Sequence, residues 1–129
     1  LVKTAAIAAL AQHDAYGALL IIAPLAGRAA MVVLMGSAHY ARSGEGLGKI
    51  FVERTGIPQL VLSVVLFLFL GFAAVGLHIV CLACALAVIF FVLRFFFIRN
   101  FGGITGDILG AACELHEIFA LLLAPLLLL

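Results

Sequence analysis

The chain has 129 residues, of which 67% are hydrophobic and 10% charged, with a formal net charge of +1. Its mean hydropathy is +1.40, whereas a soluble domain is about 45–50% apolar and about 25% charged. This composition excludes a soluble globular domain, and the lack of any basic run excludes a nucleic-acid-binding role.

In chain order, residues 1–10 are apolar except for Lys3 and Thr4. Ten residues are too few for a full span of about 20, so a partial helix is expected. Gln12, His13 and Asp14 break the apolar run, and Asp14 is placed to cap the next helix. A first full span is predicted over 16–38. It contains Pro24, which removes a helical hydrogen bond, and Gly27, which permits close approach of a neighbour. Arg28 lies near its middle, where a charge needs a partner. Two partners are open: a salt bridge to an acid on another helix, or a substrate phosphate.

Residues 39–58 form the longest polar stretch. Gly44, Gly46 and Gly48 fall within five residues, flanked by Arg42 and Lys49. Backbone N–H groups in such a loop can cradle a phosphate. The alternative is a connecting loop with basic residues at a membrane surface. Leu47, Ile50 and Phe51 predict a short amphipathic surface helix. The following forty or so apolar residues would make one helix of about 60 Å, twice the hydrocarbon core. They must fold into two spans, predicted over 58–75 and 77–97. Cys81 and Cys84 have CxxC spacing. No second ligand pair completes a zinc site, so they read as small packing residues.

The stretch from Asn100 to Leu129 begins as a glycine-rich turn and becomes a last span carrying Asp107, Glu114 and Glu117. At about 100° per residue, Glu114 lies roughly 20° and Glu117 roughly 80° from Asp107. The three acids thus share one face. Acids inside a membrane segment normally face protein or a wet cavity. The fold expected is all-α: one transmembrane domain over 1–129, with about four full spans and one partial N-terminal helix. Alternate loops give the topology. The loops near residue 14 and at 76–78 carry no Lys or Arg, while the other side collects Arg42, Lys49, Arg54, Arg94 and Arg99. Lys3 is placed on that side too. The basic side is expected to be cytoplasmic.

Two groups of residues carry a family resemblance. The run Gly102-Gly103-Ile104-Thr105-Gly106-Asp107-Ile108-Leu109-Gly110-Ala111, followed by Glu114 and Glu117, resembles the C-terminal signature of the cobalamin synthase family, the adenosylcobinamide-GDP ribazoletransferases. Gly27-Arg28, Tyr40-Ala41-Arg42 and the 44–48 loop are similar to the middle of the same family, in the same order. The resemblance implies an enzyme of the prokaryotic inner membrane with its active face cytoplasmic. α-Ribazole or its 5′-phosphate would join adenosylcobinamide-GDP with release of GMP, assisted by Mg²⁺. Asp107, Glu114 and Arg42 are then the catalytic candidates, and Asp107, Glu114 and Glu117 the metal ligands. Substrate contacts fall to Arg28, Gly44, Gly46, Gly48, Lys49, Gly102, Gly103, Thr105 and Gly106. The family also carries an aspartate-rich motif in its first half. Nothing here matches it, since Asp14 is the only acid before Glu45. The chain therefore resembles the C-terminal portion of the fold, which needs its N-terminal half or a partner chain. A rival reading, from the residues alone, is a transporter or ion relay built on Arg28, Glu114 and Glu117.

Overall fold

A computed structural model describes residues 1–11, 16–41 and 46–128. Six helices follow one another: α1 (Val2–Leu10), α2 (Tyr16–Ser37), α3 (Leu47–Arg54), α4 (Ile57–Val75), α5 (His78–Phe101) and α6 (Gly106–Leu128). The segments Gly17–Ser37, Ile57–Val75, His78–Phe101 and Gly106–Leu127 are each long and apolar enough to cross a membrane. The expected all-α architecture of four spans and a short N-terminal helix is what forms. The expected cap at Asp14 lies outside the described residues.

Local chemistry sets the helix ends. Pro58 sits in the first turn of α4, where its missing N–H costs nothing. The Gln59 side chain folds back and accepts a hydrogen bond from the Gly56 N–H at 3.0 Å. α5 runs four residues past its predicted end at 97. It stops only at Gly102, whose φ of 72° is left-handed and suits a glycine C-cap. α6 is capped by Thr105, whose hydroxyl accepts a hydrogen bond from the Ile108 N–H at 3.3 Å.

α2 and α6 form the central pair and pack on each other more than any other two helices. About half of each is buried, 44% and 50%, against 11% for α4 and 17% for α5. α4 and α5 therefore present most of their surface outward, as expected of lipid-facing scaffold. Leu19, Ile22 and Ala26 of α2 meet Leu121 and Ala124 of α6 in one core cluster, which Phe67 of α4 and Leu82 of α5 close from the side. A second cluster joins Leu34, Val52, Phe97, Ile104 and Ile108. Gly27 lets α2 and α6 touch. A Cβ there would come within 2.6 Å of Glu117 Cγ and 2.8 Å of the Cys113 carbonyl oxygen.

Candidate functional site

The segments that leave α2 and enter α6 are joined. Tyr40 and Ile104 form a short parallel bridge. The Ala41 N–H donates to the Ile104 carbonyl at 2.9 Å, and the Ile104 N–H donates to the His39 carbonyl at 2.9 Å. Gly103 makes this possible. Its φ is 156°, and a Cβ would lie 2.6 Å from the His39 carbonyl oxygen. Two sequence motifs some sixty residues apart thus meet at one end of the bundle. Arg42 and Gly44 lie outside the described residues.

Two of the glycines after Tyr40 pack against its ring. Gly46 has φ −157°, an extended conformation open to any residue. Gly48 lies inside α3. Both are small because Tyr40 lies against them. A Cβ on Gly46 would come 3.0 Å from Tyr40 Oη, and one on Gly48 would come 3.2 Å from Tyr40 Cε2 and 3.4 Å from the Gly106 nitrogen. Smallness, not backbone freedom, is what these two positions need. Lys49 is half-exposed, and its ammonium lies 3.8 Å from Glu53 one turn on, a weak surface pair.

A cavity of about 450 Å³ opens at this end. Ala41, Phe97, Phe101, Thr105 and Asp107 are among its lining residues. Asp107 is exposed in the first turn of α6, where the helix dipole favours a carboxylate. Arg94 links two of the spans. Its guanidinium donates to Ser37 Oγ at 3.3 Å and to the Ser37 carbonyl at 2.5 Å, tying α5 to the C-terminus of α2.

The other two acids lie deeper, ~12 Å and ~17 Å along α6 from Gly106 by the helical rise. The Lys3 ammonium joins them. It lies 3.1 Å from Glu114 Oε2 and also contacts Glu117. The Cys113 thiol donates to Glu117 Oε1 at 3.5 Å. Glu117 is nearly enclosed, whereas the Glu114 side chain is 62% exposed.

One expectation changes here. Lys3 was placed with the basic residues at one end; instead it reaches the acids halfway along α6, because α1 packs against that helix. Of the two partners open to Arg28, the structure tests the salt bridge to Glu114 or Glu117. Arg28 forms no ion pair with either and stays exposed on α2; the cation that meets them is Lys3. Arg28, read with Glu114 and Glu117 as an ion relay, contacts neither acid among the described ion pairs. Sequence reasoning missed Lys3 as a site residue. One signal was available: outside the basic end, Lys3 and Arg28 are the only cations in apolar segments, so either could answer the acids.

Among the described residues, no three His, Cys, Asp or Glu side chains are arranged to hold a metal ion. Asp107 is seven residues from Glu114, ~10 Å along the helix. Glu114 and Glu117 do gather carboxylate oxygens around one cation, the Lys3 ammonium. Oxygen donors of that kind suit Mg²⁺, which often takes only one or two carboxylates and completes its shell with water and phosphate.

Four spans around a buried, acid-bearing central pair define a polytopic integral membrane protein. Comparison with known proteins gives the family. A family model for cobalamin-5-phosphate synthase matches residues 1–125, and the chain belongs to that family. It is 39% identical over 104 residues to an adenosylcobinamide-GDP ribazoletransferase of Acetivibrio thermocellus, covering 81% of this chain and 42% of the relative. A namesake from Clostridium acetobutylicum is 38% identical over 106 residues, covering 80% and 41%. One from Pseudomonas savastanoi is 40% identical over 133 residues, covering 98% and 51%. The chain thus spans from two-fifths to about half the length of these relatives. No solved structure matches it.

Proposed function

We propose that this chain supplies the C-terminal part of an adenosylcobinamide-GDP ribazoletransferase, with its reacting end at the joined segments 39–41 and 103–105. The observation that carries the reading is the Tyr40–Ile104 bridge. It brings two motifs that resemble the family to one end, beside a cavity with an acid at its rim.

In the proposed reaction a hydroxyl oxygen of α-ribazole, or of its 5′-phosphate, bonds to the β-phosphorus of adenosylcobinamide-GDP. The bond from that phosphorus to the bridging oxygen breaks. GMP departs with the bridging oxygen, and the hydroxyl proton is released. Asp107, exposed at the cavity, is placed to accept that proton. Lys49 flanks the same end and would supply a cation for the phosphates, and the family resemblance assigns Arg42 the same role. The N–H groups at the start of α6, around Gly106, favour an anion there. Glu114 and Glu117 would hold Mg²⁺ in exchange for Lys3. When bound, the ion would neutralise charge on the phosphates and the leaving GMP.

Arg28, Asp107 and Glu114 are exposed on helices read as spanning the bilayer. Charged groups there must face protein or a water-filled space. The remaining part of the family fold, or a partner chain, would close over this side. The basic end, with Arg54, Arg94 and Arg99, is then cytoplasmic in the prokaryotic inner membrane.

The test is GMP release in proteoliposomes holding this chain together with the remaining part of the family fold, given adenosylcobinamide-GDP, α-ribazole and Mg²⁺. Wild type is expected to release GMP only with Mg²⁺. Asp107→Asn and Glu114→Gln should each lower kcat at least about 100-fold, within the range general acid–base catalysis supplies. Undiminished kcat in both variants would remove these acids from the chemistry, and no release by folded wild type would defeat the reading itself.

A further inference from the structure

The cavity at the joined end has two kinds of wall. One is aromatic: Phe97 and Phe101, one turn apart at the end of α5, both line it. Their ring centroids are 6.4 Å apart and the planes are tilted by 48°. Phe97 is buried in the second core cluster, whereas Phe101 is 56% exposed. The other wall is polar, with Thr105 and Asp107 at the entry to α6. The Thr105 hydroxyl accepts a hydrogen bond from the Ile108 N–H, which leaves its own proton free to donate. The Asp107 carboxylate accepts. A volume of about 450 Å³ is that of a small-molecule site, about 300–1,000 Å³.

We propose that this cavity seats α-ribazole, the attacking nucleoside, and not the guanine of adenosylcobinamide-GDP. The inference rests on the transferase reading above and gives its two substrates different places. The dimethylbenzimidazole base of α-ribazole is a flat apolar ring that can stack on an aromatic side chain. It has one unsubstituted nitrogen, an acceptor that suits the Thr105 hydroxyl. The ribose hydroxyls are donors, which suits Asp107. The same contact sets a hydroxyl beside the group proposed to take its proton.

Guanine fits these walls less well. It carries donors and acceptors along its edges, and against Phe97 and Phe101 several of them would be stranded at a cost. The diphosphate fits worse, because the Asp107 carboxylate repels an anion. Among the described residues no Lys or Arg side chain lines the cavity. The phosphates belong at its edge, where Gly48 of α3 adjoins the Gly106 backbone and Lys49 follows.

The test is binding of radiolabelled α-ribazole, by equilibrium dialysis, to nanodiscs holding this chain together with the remaining part of the family fold. No adenosylcobinamide-GDP is present, so the outcome does not depend on turnover. Wild type is expected to bind α-ribazole saturably. Phe101→Ala should weaken binding about tenfold, the loss of one stacking ring. Phe101→Tyr, which keeps the ring, should bind within about twofold of wild type. Free dimethylbenzimidazole should compete with the label, and guanosine should not. Competition by guanosine in place of the free base would overturn the inference and put the guanine in the cavity. Absence of saturable binding by wild type, or wild-type affinity in Phe101→Ala, would overturn it as well. The competition in wild type decides the matter even if Phe101→Ala fails to fold. GMP release tests the transferase reading separately: release alongside any of these contrary results would sink the assignment of the cavity and leave that reading standing.

Discussion

The two helix pairs of this bundle look alike by hydropathy and differ in everything that concerns chemistry. α2 and α6 have mean hydropathies of 2.2 and 1.6 over their spans; α4 and α5 have 2.3 and 2.8. The first pair is about half buried and the second is mostly exposed. Apart from Arg94 and Arg99 near the basic end, α4 and α5 carry no charged residue. Arg28, Asp107, Glu114 and Glu117 all lie on α2 and α6. An apolar helix can thus be scaffold or site, and the polar residues it tolerates at a cost reveal which.

The sharpest way to break the comparison is at Gly27. Gly27→Val should separate α2 from α6, because its Cβ meets Glu117 and the Cys113 backbone. A loss of about 3 kcal/mol or more is expected from such overpacking, read as a lowered midpoint of thermal unfolding in detergent and lost GMP release. Next is Lys3→Met, which leaves Glu114 and Glu117 without their cation. Removing one partner of a buried pair costs about 3–5 kcal/mol. Glu114 is largely exposed, so about 2 kcal/mol is expected, visible in the same unfolding measurement and partly restored by Lys3→Arg. Gly103→Ala comes third. It forces a residue with a side chain into φ 156° against His39, a strain of about 1–3 kcal/mol. It should reduce GMP release more than it lowers the unfolding midpoint, because it disturbs the Tyr40–Ile104 bridge and not the core. Smallest is Phe69→Leu on α4. Its ring is exposed, and the change should stay within about 0.5 kcal/mol with activity intact. A large effect there would show that α4 is more than scaffold.

Much of the fold was legible in the sequence. The four spans and the short surface helix followed from apolar run length and from Leu47, Ile50 and Phe51. The shared face of the three acids followed from helical periodicity. What stayed hidden was long-range. Lys3 and Glu114 are 111 positions apart, and no local pattern says which cation answers an acid. From the sequence, Arg28, the cation inside a full span, is open to an acid or to a substrate phosphate, and Lys3 gives no sign of meeting either acid. The crowding of Gly46 and Gly48 by Tyr40 was equally hidden, because that neighbour is met only in space. The end of α5 falls short in the sequence reading because Arg99 and Asn100 break the apolar run but not the helix.

Segments 39–41 and 103–105 are proposed to form the substrate-binding, cytoplasmic end. The most direct measurement is labelling of Ala41→Cys by a membrane-impermeant maleimide in oriented vesicles, with Cys81→Ala, Cys84→Ala and Cys113→Ala removing the native thiols. The account predicts labelling from the cytoplasmic side and protection by adenosylcobinamide-GDP, with Leu77→Cys at the opposite end reached only from outside and unprotected. Labelling of Ala41→Cys from outside, or labelling that the substrate leaves unchanged, would contradict it.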